Sequence, residues 1–168
     1  MTKSLLLNVA DLLHRPGARR HVRAASPIPK LAVTSSWVPA GVDVVVDAVL
    51  EAVSAGIVAT GTVATEWQGE CRRCLRPVHG RLGADVRELF VEQPVEGESY
   101  PLRHAQIDLE PMAREAVVLE LPAAPLCRDD CRGLCPTCGA DLNEGSCECA
   151  PASRDPRWAA LEALRIDS

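Results

Sequence analysis

The central part of the chain reads VDVVVDAVLEAVSAGIVATGTVATEW over residues 42–67. In the first half of this segment every second side chain is apolar, from Val42 to Leu50, and acidic residues lie between them. A period of two is typical of a strand with one buried face. Ser-Ala-Gly at residues 54–56 is a turn signal, and a second strand rich in β-branched residues follows it. We therefore predict an antiparallel hairpin in this region.

Other segments of the chain extend the predicted sheet or interrupt it. Residues 3–13 are apolar enough for a first strand, and the two-residue alternation returns from Val78 to Phe90. The basic segment 15–23 contains Pro and Gly and predicts a solvated loop. Residues 92–106 are acidic, contain Pro and Gly, and predict another loop. A small antiparallel sheet, or a partly closed barrel, accommodates these strands.

Two helices are predicted in the second half of the chain. Apolar residues recur at helical spacing from Leu109 to Leu119, with Asp108 placed as the N-cap and Pro122 as the stop. This pattern predicts one amphipathic helix laid on the sheet. A short helix is predicted at residues 155–164, where Asp precedes Pro at the first helical position. The predicted fold class is therefore α+β.

Composition narrows the functional classes. Hydrophobic residues make up 47% of the 168 residues, enough to bury a core, whereas aromatic residues make up only 3%. So few aromatic rings make a stacking platform for single-stranded nucleic acid hard to build. No apolar run approaches the ~18–20 residues of a membrane span, and Asn8 interrupts the opening leucines too early for a signal peptide. We therefore expect a soluble, cytoplasmic protein with no membrane partner.

Eight cysteines are the most informative residues of the chain. A cytoplasmic protein meets a reducing thiol pool, so metal binding is favoured over disulfides. Six cysteines lie between Cys127 and Cys149, and GLCPTCG at residues 133–139 has the spacing of a zinc knuckle. We predict an α+β domain of residues 1–126 with a basic N-terminal arm, a zinc-knuckle tail of residues 127–168, and one or two zinc ions. The candidate ligands are Cys71, Cys74, Cys127, Cys131, Cys135, Cys138, Cys147 and Cys149.

The spacing leaves two ways to divide these ligands. The favoured partition places Cys71, Cys74, Cys127 and Cys131 on one ion and Cys135, Cys138, Cys147 and Cys149 on a second. The first ion would then link a turn of the sheet to the segment at the end of the helix. The rival partition puts four of the six tail cysteines on one ion and leaves Cys71 and Cys74 as free thiols. Two cysteines separated by one residue form a narrow chelate for one zinc ion. A further alternative therefore leaves Cys147 or Cys149 without a bond to the metal.

The sequence contains no pattern that predicts catalysis. All-thiolate zinc sites are closed and structural, whereas catalytic zinc keeps a water position and commonly has His or carboxylate ligands. The four histidines are isolated in sequence and surrounded by polar residues, which favours surface positions. A nuclease or thiol redox enzyme would need an open metal position or a reactive thiol, and the sequence shows neither. We expect the protein not to be an enzyme.

Basic residues are concentrated in two clusters. The first 42 residues carry six basic side chains and one acidic one, although the whole chain has a net charge of −5. Because guanidinium groups bind phosphate oxygens in pairs, one hypothesis places the N-terminal arm and the first CxxC turn on a single RNA-facing edge. The alternative is that these arginines only pair with acidic residues of the same chain. The candidate RNA-binding residues are Arg15, Arg19, Arg20, Arg23, Arg72, Arg73 and Arg76.

The order of these features resembles the YceD family of large ribosomal RNA subunit accumulation proteins. The matching motifs are ECRRCLRP at residues 70–77, IDLEP at 107–111, LELP at 119–122, the cysteine-rich segment 125–139 followed by LN at 142–143, and DPRW at 155–158. The RPG arm at residues 15–17 looks like that of actinobacterial members. The resemblance covers nearly the whole chain and is weakest over residues 24–56.

The resemblance implies a role in accumulation of 23S ribosomal RNA, and hence in processing or assembly of the large ribosomal subunit. It brings no known catalytic residue, and it implies 23S rRNA or a precursor large subunit as the partner. Some family members lack the second cysteine motif yet keep the first CxxC, which favours a separate first site. A second hypothesis is a zinc-stabilised interaction module or regulator that binds a ribosomal protein or processing nuclease through its acidic face. The acidic residues that motivate it are Glu88, Glu92, Glu96 and Glu98.

Overall fold

The computed structural model describes residues 4–149 of the chain. The short helix predicted at residues 155–164 lies outside this part. Within the described residues the chain forms eight strands and one helix. In chain order these elements are β1 (Leu6–Asn8), β2 (Arg19–Pro27), β3 (Ser36–Trp37), β4 (Asp43–Val53), β5 (Gly56–Glu70), β6 (Pro77–Val91), β7 (Tyr100–Arg103), β8 (Gln106–Asp108) and α1 (Glu110–Glu120).

The predicted central hairpin is confirmed. β4 and β5 pair antiparallel outward from the turn, where Val53 lies opposite Gly56. Buried positions alternate along β4 with half-buried or exposed ones, as the period of two predicts. β5 then pairs with β6 along nearly its whole length, ending at Glu70 opposite Pro77. The turn between these two long strands holds the first CxxC motif, as predicted.

The sheet is curled, and the fold is mostly β. Its strand order is β1-β8-β7-β6-β5-β4-β2, with β3 paired to β5 and with β6 and β7 as parallel neighbours. The two end strands approach each other, since the Arg20 guanidinium of β2 donates to the backbone oxygen of Asn8 in β1 at 2.7 Å. α1 packs against β5 and β6, and the core includes Phe90, Ile57 and Met112. Residues 4–149 thus form a half-barrel with one helix, more sheet-rich than the predicted α+β class.

The N-terminal arm is not the loop that its composition predicts. Arg19–Pro27 forms β2, which pairs with β4 along its whole length. The two-residue alternation is present in this segment, but basic side chains obscure it. Ala24 is buried, whereas Arg19 and Arg23 are exposed, and acidic residues of β4 supply opposite charges across the strands. Cross-strand charge pairing therefore stabilises this segment as a strand, although its charge and its turn residues suggest a loop.

Two shorter segments also differ from the prediction. The strand expected at residues 3–13 is confined to β1, because the chain turns after Val9, whose carbonyl accepts hydrogen bonds from N–H groups of the following turn. The loop expected at residues 92–106 contains β7 and the start of β8, joined through residues 104–105 at positive φ. Strands of three or four residues are too short to show a periodic pattern.

The predicted amphipathic helix is confirmed, with one error in its apolar face. The Asp108 carboxylate accepts a hydrogen bond from the Glu110 N–H at 2.9 Å, although the N-cap position itself is Leu109. Val117 is buried against the sheet, whereas Leu119 is 84% exposed. Residues two apart do not share a helix face, so the assignment of Leu119 to the buried face was wrong.

Candidate metal centre

The first four-cysteine group, site 1, comprises Cys71, Cys74, Cys127 and Cys131. Their Sγ atoms all lie within 4.8 Å of one another. The Sγ atoms of Cys71 and Cys131 are 3.8 Å apart, and those of Cys74 and Cys127 are 3.6 Å apart. Four sulfurs at ~2.3 Å from one zinc ion, in tetrahedral directions, are about 3.8 Å from each other. The donor set of site 1 therefore fits one tetrahedral ion.

The turn between β5 and β6 positions the first two ligands of site 1. The Leu75 N–H donates to the Cys71 carbonyl oxygen, and the Cys71 N–H donates to the Arg76 carbonyl oxygen, both at 2.8 Å. Leu75 adopts a φ of 60° and leaves its side chain 60% exposed at the tip of the turn. Both sulfurs of the CxxC motif consequently meet the cysteines that follow the helix.

The second group, site 2, comprises Cys135, Cys138, Cys147 and Cys149, whose Sγ atoms also lie within 4.8 Å of one another. The GLCPTCG segment forms a tight turn, in which Gly139 adopts a φ of 75° and donates its N–H to the Cys135 carbonyl oxygen at 2.9 Å. The structure brings both members of the Cys-x-Cys pair to the same site. An all-sulfur donor set of this kind suits zinc or an iron–sulfur cluster.

The spatial grouping matches the favoured partition of the sequence and not its rival. The rival partition leaves Cys71 and Cys74 apart from the tail, whereas the structure places both sulfurs against tail cysteines. The sites differ in accessibility, because three of the four cysteines of site 1 are buried and Cys135 alone is buried in site 2. Among residues 4–149 no other cluster of His, Cys, Asp and Glu has a geometry that could hold a metal ion.

The thiols of site 1 differ in acidity. Burial disfavours a thiolate at Cys71, but backbone N–H groups, foremost that of Cys74, lower its pKa from 9.0 to about 6. Desolvation, together with the neighbouring thiols, raises the pKa of Cys127 to about 12. Site 1 thus combines a thiol of lowered pKa with one of raised pKa, and a bound cation would favour ionisation of both.

Site 2 repeats this arrangement. The backbone N–H groups of Cys138 and Thr137 lower the pKa of Cys135 to about 6. A hydrogen bond with the Cys138 thiol, then desolvation, raises the pKa of Cys149 to about 12. As in site 1, a bound cation would favour ionisation of the clustered thiols and so release their protons.

The tail docks on the cysteine turn through contacts separate from the main core. The Arg73 guanidinium donates to the backbone oxygens of Asp129 and Cys131 at 3.2 and 2.8 Å. The Leu134 N–H donates in return to the Arg73 carbonyl oxygen at 3.1 Å. Gly133 is needed at this contact, since its φ is 74° and an added Cβ would lie 2.9 Å from that oxygen. The cluster around these contacts contains the buried Cys71, Cys74 and Cys131 with the partly buried Val78, Leu126 and Leu134.

Most of the predicted RNA-binding arginines pair within the chain. In the arm, Arg19 lies 3.0 Å from Glu51, Arg20 lies 2.6 Å from Asp11, and Arg23 lies 3.4 Å from Asp47. At the cysteine turn, Arg76 pairs with Asp141 at 2.8 Å and also with Glu144. Arg73 binds backbone oxygens of the tail, as described above. Pairing with acidic residues of the same chain, the alternative kept open in the sequence analysis, therefore occurs at both clusters.

The structure spaces the two basic clusters along β5. Arg19 lies opposite Glu51, which lies opposite Val58 near the start of β5. The cysteine turn follows Glu70 at the other end of β5, twelve residues further along. At ~3.3 Å per residue, Arg19 is about 40 Å from the cysteine turn along the strand. Arg23, which lies opposite Asp47 and hence Thr62, is about 26 Å from it. The antiparallel register, which composition does not reveal, sets this separation.

The two remaining candidate RNA-binding arginines, Arg15 and Arg72, also lie toward opposite ends of β5. Arg15 lines a cleft of about 610 Å³ beside the β4–β5 turn, together with His14. Arg72 lies on the cysteine turn, where its backbone N–H donates to the Pro125 carbonyl oxygen at 2.9 Å. Its side chain is exposed at the metal-site end of the molecule.

Two polar residues of the centre were missed by the sequence analysis. The Asn143 amide nitrogen lies 3.5 Å from the Cys131 sulfur, and its oxygen accepts the Arg132 N–H at 2.8 Å. Asp141 accepts hydrogen bonds from Asn143 and pairs with Arg76. The signal that could have identified Asn143 is the Leu-Asn pair at residues 142–143, which was noted only as part of the family resemblance.

Comparison with known proteins identifies relatives along most of the chain. The model of the family described as large ribosomal RNA subunit accumulation protein YceD matches residues 59–165. A protein of Mycobacterium tuberculosis is 39% identical over 170 residues, covering 94% of this chain and 79% of the relative. A protein of Mycobacterium leprae is 35% identical over 173 residues, covering 94% and 76%.

A plant protein matches a shorter segment. The large ribosomal RNA subunit accumulation protein YCED homolog 1, chloroplastic, of Arabidopsis thaliana is 33% identical over 66 residues, covering 39% of this chain and 21% of its own. No solved structure matches the chain. In the part of the chain that the structure describes, no helix is long and apolar enough to cross a membrane.

Proposed function

Because the chain belongs to the YceD family, we propose that it is a non-enzymatic, zinc-binding factor for 23S rRNA accumulation and large ribosomal subunit assembly. The single observation that carries the metal part of this proposal is the pair of four-cysteine groups, each with all sulfurs within 4.8 Å. Zinc held by four thiolates has no open position, so it would stabilise the fold rather than activate water. The rRNA part rests on the family description.

Each zinc ion would hold a different part of the molecule. In site 1, Cys71, Cys74, Cys127 and Cys131 would bind the ion and fix the tail to the turn of the sheet. In site 2, Cys135, Cys138, Cys147 and Cys149 would bind the ion and close the tail on itself. The chemistry that zinc supplies here is charge neutralisation of clustered thiolates. The surface that contacts the partner would consist of protein residues and not of the metal ions.

The proposed RNA contacts lie at the two ends of the curled sheet. The Arg19 and Arg23 side chains are 67% and 58% exposed despite their acidic partners. Exposed ion pairs contribute only ~0–1 kcal/mol, so a phosphate can displace the carboxylate. Arg72 is exposed at the other end, beside site 1. A span of about 26–40 Å along β5 suits contact with two separate RNA segments of a cytoplasmic precursor subunit.

A second candidate function is binding of a ribosomal protein or processing nuclease through the acidic face. Glu88, Glu98 and Glu115 line one small cavity beside Tyr100. Desolvation, with the Glu115 charge as a further cause, raises the pKa of Glu88. Carboxylates that are held together against their mutual repulsion favour a basic partner.

Sedimentation of cell extract on a sucrose gradient distinguishes the two candidates. We expect the tagged protein to migrate with precursor large subunits at low salt and to leave them as salt rises. The variants Arg19→Gln/Arg23→Gln and Arg72→Gln should each weaken this association, while Arg103→Gln, an exposed residue of β7, serves as the matched control. A protein that stays at the top of the gradient at both salt concentrations would favour the acidic-face module instead. Purified protein should leave precursor rRNA uncleaved, and cleavage abolished by a point substitution would establish an enzyme.

A further inference from the structure

The two cysteine sites are joined by the loop that connects Cys138 to Cys147. This loop belongs covalently to site 2, because it lies between two of that site's ligands. Its residues nevertheless contact site 1: the Asn143 amide nitrogen lies 3.5 Å from the Cys131 sulfur. The Leu142 N–H donates to the Gly133 carbonyl oxygen at 2.9 Å, between the last ligand of site 1 and the first of site 2. The loop is therefore in a position to respond to both sites.

Asn143 is held in one orientation by neighbours on both sides. Its side-chain oxygen accepts hydrogen bonds from the Arg132 N–H and the Arg128 guanidinium, both at 2.8 Å. Its side-chain nitrogen also donates to the Asp141 carboxylate at 2.7 Å. With the oxygen occupied by two donors, the amide nitrogen must face the carboxylate and the Cys131 sulfur. The side chain therefore acts as an N–H donor toward a site 1 ligand.

Asp141 provides a second link between the sites. Its side chain is only 16% exposed and lies 2.8 Å from the Arg76 guanidinium of the cysteine turn. The Asn143 N–H donates to the same carboxylate at 2.8 Å. Leu134 also forms an isolated antiparallel bridge with Asp141. Arg76, Asp141 and Asn143 thus form a continuous chain of hydrogen bonds from the turn that carries Cys71 and Cys74 to the loop closed by site 2.

We propose that Asn143 is a positioning residue that couples the two metal sites, so that an ion in either site increases the affinity of the other. An ion in site 2 fixes the loop and holds the Asn143 N–H against the Cys131 thiolate. An ion in site 1 holds Cys131 in place and so favours the closed loop. Coupling of this kind is reciprocal by thermodynamic linkage. The inference rests on the proposed metal binding and adds to it a specific role for a residue that is not a ligand.

Cobalt(II) titration in the presence of a competing chelator tests the coupling, because four-thiolate cobalt has intense absorption bands. Full-length wild-type protein should bind two ions cooperatively. Asn143→Ala should bind two ions in separate steps, with the affinity of site 1 reduced ~10–100-fold, the usual effect of removing a hydrogen bond to a metal ligand. Ser146→Ala, a substitution at an exposed position of the same loop, is the matched control and should titrate like wild type.

A second measurement reads site 1 without altering Asn143. In Cys149→Ser, which removes a ligand of site 2, maleimide should label Cys131 faster than in wild type at the same free cobalt concentration, held constant and subsaturating by a chelator buffer. Unchanged cooperativity in Asn143→Ala, or unchanged labelling of Cys131 in Cys149→Ser, would overturn the coupling and leave metal binding intact. If wild-type protein bound no cobalt and no zinc, the proposed metal function would fail, and the coupling with it.

Discussion

Removal of the metal should release the tail while the sheet stays folded. Without an ion, the tail is held to the cysteine turn by a few hydrogen bonds, by the ion pairs of Arg76 with Asp141 and Glu144, and by three partly buried apolar side chains, Val78, Leu126 and Leu134. Full burial of such a side chain contributes ~1.5–3 kcal/mol, so three partly buried ones contribute about 2–4 kcal/mol. A structural zinc ion contributes ~10–16 kcal/mol in zinc-finger peptides. The ions therefore dominate the stability of the tail. The main core is built from other residues, so we expect it to stay folded without them.

Limited trypsin digestion with peptide mapping measures this release. The chelator is removed by gel filtration before the protease is added, so that only the metal content of the substrate differs. Arg128 and Arg132 report on the tail, and Arg81 and Arg87 report on β6. We expect cleavage at the two tail sites to accelerate strongly in the metal-free protein, with little change at the two strand sites. Equal protection of the tail before and after metal removal would show that the metal does not hold the tail. Simultaneous cleavage of β6 would show that the sheet also depends on the metal.

Three further predictions concern single side chains. Desolvation and the charge of Glu115 raise the pKa of Glu88 in the folded state, so the contribution of Glu88 to stability is present below about pH 4.5 and is lost as pH rises. Glu88→Gln should therefore raise Tm at pH 7 and not at pH 4. An equal gain in Tm at both pH values would contradict the shifted pKa. Gly133→Ala forces a side chain to a φ of 74° and to within 2.9 Å of the Arg73 oxygen, so tail proteolysis should be faster even with metal bound, whereas an unchanged rate would show that the contact adapts. Ser36 is fully buried, and its hydroxyl donates to the Pro122 carbonyl oxygen at 2.8 Å. Ser36→Ala should therefore lower the free energy of unfolding by about 1–3 kcal/mol in urea titration. A change below about 0.5 kcal/mol would contradict a stabilising role of this hydrogen bond.

The parts of the fold that the sequence predicts are those with long, uninterrupted patterns. β4, β5 and β6 each carry enough alternating residues for the period of two to be clear. Local pattern is sufficient for these strands. For the cysteines, the spacing predicts metal binding but leaves two partitions open, and the structure groups Cys71 and Cys74 with tail cysteines.

The remaining features depend on tertiary contacts. β2 is a strand because β4 supplies Asp47 and Glu51 opposite its basic residues, and nothing within the arm itself reveals those partners. The separation of the two arginine clusters follows from strand register rather than from composition. Asn143 lies near Cys131 only because the tail folds back on itself. Such contacts join residues that a pattern search treats as independent.

Native mass spectrometry of the intact, zinc-loaded protein counts the bound ions per chain and so tests zinc binding at both sites. We expect two zinc ions in the wild-type protein. We expect one ion in Cys74→Ser, which removes a ligand of site 1, and one in Cys149→Ser, which removes a ligand of site 2. A wild-type protein that carried a single ion, or none, after loading with excess zinc would contradict binding of one ion at each site.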